Sequence, residues 1–210
     1  EAANYPFATI DPNVGMVEVP DWRLQRLTEL VRPKMTVPTT FEFTDIAGIV
    51  RGASKGEGLG NQFLSHIRQV DAICHVVRCF DDDNITHVEG RVDPLADIDT
   101  INLELVLADL ESVNKRYTRV AKIAKTKDKD AVAELAVLDK IKPVLEEGIS
   151  ARSIEFTDEE QRIVKSLFLL TTKPVLYVAN VAEEDVADYE TNDYVNKVKE
   201  FAASENAEVI

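Results

Sequence analysis

The sequence predicts an α/β fold, a mainly parallel sheet flanked by helices and interrupted by an inserted helical hairpin. Three observations lead there. Short, nearly continuous apolar runs at Thr40 to Thr44, Ala72 to Phe80 and Pro174 to Ala179 have the length and composition of strands buried on both faces. From Asp97 to Leu170 the pattern is helical, with no strand signal. With 210 residues, 45% hydrophobic and 30% charged, the chain can bury a real core and is composed like an ordinary globular protein of one or two domains.

Taken in order, Met16 to Val19 alternates and stops at Pro20, the pattern of an edge strand. Asp21 to Val31 reads as a helix, with Leu24, Leu27 and Leu30 near one face and Pro33 beyond its end. The strand at Thr40 to Thr44 alternates around Phe41 and Phe43. Both cysteines, Cys74 and Cys79, fall in the next strand, and their separation of five residues puts them on opposite faces. That pattern supports neither a disulfide framework nor a metal clip, and suits a reducing cytoplasm. In the helical stretch Val106, Leu110, Val113, Tyr117, Val120 and Ala124 repeat at spacings of 4, 3, 4, 3, 4, a heptad seam. Lys125 to Asp130 breaks the seam, and Leu135, Leu138, Ile141 and Leu145 resume a stripe, so an antiparallel coiled-coil hairpin is expected. Thr157-Asp-Glu-Glu160 is a capping box that starts a third helix through Ile163 and Leu167. After the strand at Pro174, Glu208 to Ile210 reads as a further strand. The expected division is a first α/β part at 1–96, the helical insertion at 97–170, and a second α/β part at 171–210.

No apolar run approaches the roughly 18 residues of a membrane span, and Glu1 to Phe7 shows neither the charged nor the apolar region of a signal peptide. The formal charge of -14 and pI near 4.7 argue against the whole surface being a nucleic-acid footprint. A local patch remains: Lys115, Arg116, Arg119, Lys122, Lys125, Lys127 and Lys129 gather at the distal part of the hairpin, where they either bind phosphate backbones or form a solvated face. The chain begins without Met and its last residues read as a strand cut short, so an excised segment of a longer protein is expected.

Three motifs carry chemistry. Phe41-Glu-Phe-Thr-Asp-Ile-Ala-Gly48 is a strand ending in D-x-x-G, followed by the glycine-rich stretch Gly52 to Gly60. A strand-end Asp can hold Mg2+ through water, and the glycine lets a backbone N–H approach a terminal phosphate; alone, Asp and Gly also end strands for turn chemistry. Asn180-Val-Ala-Glu183 closes the strand at Val175, where an amide and a carboxylate can read a base. The usual guanine reader is N-K-x-D. Val181 in place of Lys and the longer Glu183 in place of Asp relax discrimination against adenine, so ATP is expected to serve at least as well as GTP. In Asn4-Tyr-Pro-Phe-Ala-Thr-Ile-Asp-Pro12, two prolines fix an extended loop from which Thr9 offers a hydroxyl to a phosphate-bound metal.

With Asn4 to Gly15, Asp45 to Leu64 and Asn180 to Glu183 in this order, the chain resembles the YchF or Obg-like ATPase family from end to end, helical insertion included. The resemblance implies a P-loop NTPase-like fold, with Thr9 and Asp45 as Mg2+ ligands, Gly48 at the γ-phosphate, and Asn180, Val181 and Glu183 around the base. It implies a cytoplasmic translation- or stress-related ATPase that associates with the ribosome or ribosomal RNA; no DNA or membrane partner is expected. Ile49 stands where Ras-like enzymes carry a water-orienting glutamine, and the resemblance makes His87 the candidate for that task; His87 also reads as an ordinary surface histidine. His75 and His66 read as structural or solvent-facing. The family's G-x-x-x-x-G-K-[ST] loop is expected upstream of Glu1 and a TGS-like domain after Ile210, so this segment is expected to be inactive alone. The competing expectation is an interaction module acting through the basic arm.

Overall fold

The computed structural model describes residues 13–45, 60–82 and 91–210, and the chain falls into two compact units, Tyr5–Gly48 and the remainder. In the smaller unit, β1 (Asn13–Glu18) pairs antiparallel with β2 (Thr40–Asp45), Asn13 opposite Asp45 and Glu18 opposite Thr40. Between them runs α1 (Trp22–Val31). The Asp21 carboxylate accepts from the Arg23 amide to cap it, and Arg32 ends it in the left-handed region at φ 46°. The strand at 40–44 is present, but the expectation that both its faces are buried does not hold: every residue of β2 except the half-buried Thr44 is exposed. Val14, Met16, Trp22, Met35, Phe41 and Phe43 are all exposed too, Trp22 by 75%. Alternation around Phe41 and Phe43 records the pleat and cannot say what covers it.

The larger unit holds a parallel sheet in the order β3 (Ile73–Arg78), β4 (Val175–Asn180), β5 (Glu208–Val209). Helix α2 (Gly60–Gln69) precedes β3, and α6 (Asp193–Ser204) links β4 to β5. Val77 and Tyr177 from the strands, Cys79, Ile98, and Val195, Val198 and Ala202 of α6 form one buried core. Cys74 is exposed and Cys79 buried, as the alternation required. Burial pushes the Cys79 thiol up to about 11, which makes it a packing group and no nucleophile.

The crossover from β3 to β4 contains helices and no strand among its described residues. α3 (Pro94–Ala124) starts with the Asp93 carboxylate accepting from the Ala96 amide and with proline in its first turn. It packs against α4 (Lys129–Glu146), capped by Asp128, and both pack on α5 (Asp158–Leu167). The heptad residues do what their spacing says: Val106, Val113 and Val120 are buried, with Leu110, Tyr117 and Ala124 beside them, against Leu138, Ile141 and Leu145. Arg116 grips Glu134 across the hairpin through Nε and Nη2, and Lys140 pairs with Glu160 of α5. Both halves of the capping box form, Thr157 Oγ1 accepting from the Glu160 amide at 3.3 Å and the Glu160 carboxylate from the Thr157 amide at 2.9 Å.

Candidate functional site

A parallel sheet directs its strand carboxyl ends to one edge, where backbone groups leave the ladder and side chains turn outward. Here β3 and β4 end in register, Arg78 opposite Asn180, and the ladder continues one step as the Cys79 amide donates to the Asn180 carbonyl at 2.7 Å. Asn180 is exposed; Val181 leans on the sheet core; Glu183 is exposed and opens a 3-10 turn, Glu183–Asp185. The chain thus leaves one strand end with an outward amide, an apolar contact and an outward carboxylate in succession.

Asn192, which the sequence reading passed over, ties this edge together. Its Nδ2 donates to the Cys79 carbonyl at 3.1 Å and to Asp185 at 3.4 Å, while its Oδ1 accepts from the Tyr194 and Val195 amides to cap α6. An Asn ahead of a helical pattern is a readable cap; its reach to β3 is a tertiary fact. At the same edge the Arg78 guanidinium stacks on Phe80 at 4.7 Å, and Tyr194 Oη donates to Asp81 at 3.2 Å, which raises the Tyr194 phenol above its ordinary value.

Asp45, exposed, is the last residue of β2 in the smaller unit. An exposed carboxylate at a strand end fits a Mg2+ that also takes phosphate oxygens and water, since that ion rarely uses a full protein cage. No group of three or more acidic, His or Cys side chains among the described residues is arranged to hold a metal. Thr9, Gly48 and His87 lie outside the described residues. His66 lies on α2, and His75 sits half-buried in β3 with its ring 5.6 Å from that of Tyr177. Burial, with Arg152 nearby, pushes the His75 imidazole down to about 4.

On the hairpin, Lys115 pairs with Glu111 and Arg116 with Glu134. Arg119, Lys122, Lys125, Lys127 and Lys129 are exposed and have no ion pair among the described residues. No described helix is long and apolar enough to cross a membrane.

Residues 1–181 match the family model described as 50S ribosome-binding GTPase. The whole chain is 71% identical to the ribosome-binding ATPase YchF of Bacillus subtilis and 54% identical to that of Escherichia coli O157:H7, in each case over 57% of the relative's length. Among solved structures, the YchF GTPase of Schizosaccharomyces pombe superposes with a TM-score of 0.78 at 42% identity, over 99% of this chain and 57% of that one. The chain therefore spans somewhat more than half the length of these relatives.

Proposed function

The chain belongs to the YchF family of proteins with an Obg-like P-loop GTPase domain, and from that premise we propose that the full-length protein is a Mg2+-dependent ATPase, accepting GTP as well, that acts as a switch on the ribosome in the cytoplasm. The observation that supports it best is the carboxyl end of β4, where Asn180 and Glu183 stand exposed on either side of half-buried Val181. Asn180 and Glu183 hydrogen-bond the base edge, and Val181 packs on its face. Without a lysine at the second position and with a carboxylate one methylene longer than aspartate, this reader lacks the match that makes guanine sites exclusive. Thr9 and Asp45 hold Mg2+, which neutralises charge on the β- and γ-phosphates when bound, and Gly48 gives its amide to the γ-phosphate. His87 orients the attacking water in place of the glutamine that Ile49 replaces. Nucleotide state orders Thr9 and the glycine-rich stretch as the switch.

Calorimetric titration of ATP and GTP with Mg2+ into the full-length protein tests this reading. Binding of ATP no weaker than GTP supports it; binding of neither nucleotide overturns it.

A second role accompanies the first. Residues 97–170 form an insertion that docks ribosomal RNA through Arg119, Lys122, Lys125, Lys127 and Lys129, the basic side chains that neighbouring carboxylates leave unneutralised. An adaptor acting through this arm alone would need no nucleotide, so the same titration separates the two.

A further inference from the structure

Where α2 ends, one side chain joins three separate segments. Arg68, in the last turn of α2, donates through Nη1 to the Phe168 carbonyl at 2.9 Å and, more weakly, to Asp109 Oδ1 at 3.4 Å. Through Nη2 it donates to Ser112 Oγ at 3.1 Å and to the Ala108 carbonyl at 3.5 Å. Its partners are thus one face of α3, at the root of the hairpin, and the left-handed residue that closes α5. Asp109 is fully buried and spends its carboxylate mainly elsewhere, accepting from the Leu170 amide at 2.9 Å and from the Thr171 amide and hydroxyl at 2.8 Å each. Lys173 Nζ closes the circuit on the Arg68 and Val70 carbonyls. The segment Leu170–Thr171 leads directly into β4, whose far end carries Asn180.

We infer that Arg68 is a positioning residue through which the nucleotide site and the helical hairpin act on each other: a ligand at one shifts the other. The inference rests on the nucleotide-hydrolase reading. In the sequence α2 follows the glycine-rich stretch, and Lys173 Nζ holds its carboxyl end through the Arg68 and Val70 carbonyls. A planar guanidinium meeting acceptors on two other segments cannot follow a shift of α2 and keep every bond unless those segments move with it. It either carries α3 and Phe168 along or lets go. Letting go is open to it, because the Arg68 side chain is 27% exposed and can turn into water, while Asp109 keeps its three bonds to Leu170 and Thr171. The junction therefore has two arrangements that leave no buried charge unpartnered, which is what a two-state coupling element requires.

Hydrogen exchange on the full-length protein, with and without saturating Mg-ATP, tests it. In the wild type ATP should change exchange by about fivefold or more both in α2 and at 105–113 of α3, the lower end of ordinary allosteric coupling. In Arg68→Ala the response should persist in α2 and vanish at 105–113, with ATP affinity near wild type. Ser112→Ala removes one acceptor and no charge, and should weaken the transmitted response even if the arginine variant proves unstable. Absence of any response at 105–113 in ATP-bound wild type, or a full response there in both variants, overturns the inference. A wild type that binds no ATP brings down the hydrolase reading instead, a result the titration shows separately.

Discussion

Asp45 closes β2 as an exposed carboxylate, and an Mg2+ role makes its worth conditional on the metal. Asp45→Asn in the full-length protein should weaken ATP binding in Mg2+ by about tenfold or more, roughly the loss of one charge-assisted contact, and leave binding in EDTA unchanged; titration in the two buffers checks it. His75 is conditional on pH. Its folded imidazole stays neutral down to about 4, whereas an unfolded one takes its proton near 6.5. Between those values the unfolded chain binds the extra proton, so stability falls as pH drops through this window, by up to about 3 kcal/mol, and is unaffected by this group above it. Denaturant melts from pH 7 to 4 should show this acid-side slope in the wild type and a shallower one in His75→Phe, which keeps a ring against Tyr177. Asp109 gives the largest structural effect expected of one residue. Asp109→Ala leaves the Leu170 and Thr171 donors unpaired inside the protein and should cost at least about 3 kcal/mol in a urea melt. None of Asp109's partnerships could be read from the sequence, because Leu170 and Thr171 lie some sixty positions away and an acidic residue on a helix ordinarily reads as a solvated one.

Elements were more legible than residues where the signal was local. The capping box at Thr157 and the heptad spacing of α3 depend only on neighbours within a few turns, and both formed as written. Thr157→Ala should therefore cost about 1 kcal/mol. Leu138→Ala, at a completely buried position between the helices, should cost about 3 kcal/mol and leave a cavity beside Val113. The start of α3 was legible and missed: Asp93-Pro94 is a cap followed by a first-turn proline, three residues before the expected boundary at Asp97. What flanks a strand was not legible. The apolar run of β2 reads like that of β4, yet β4 lies between two parallel neighbours and β2 pairs antiparallel with β1. On the arm, charge reversal at Lys122 and Lys125 to Glu should weaken ribosome binding and flatten its salt dependence, as measured by co-sedimentation across a salt series.

At the scale of the whole chain, the net charge of -14 conceals the exposed cations Arg119, Lys122, Lys125, Lys127 and Lys129 gathered on one stretch. The place of Asn180, Val181 and Glu183 at the carboxyl end of β4 was recoverable from sequence, because strand ends in a parallel sheet point to one side whatever else the fold does. The architecture around them was not: Asn192 reaches the end of β3 from more than a hundred positions away, and Arg68 reaches Phe168, past the end of α5, across a similar gulf.

The long excursion between β3 and β4 also sets an order of events in time. Ile73 finds Val175 only after about a hundred intervening residues, and closing a loose loop of that size is slow. The two long helices meet through neighbours near in sequence, so they can zip first and fold Glu146 back along α3, shortening the loop that β4 must close. Local contacts thus favour the hairpin forming ahead of the β3–β4 ladder, with the arm as the scaffold on which the sheet closes.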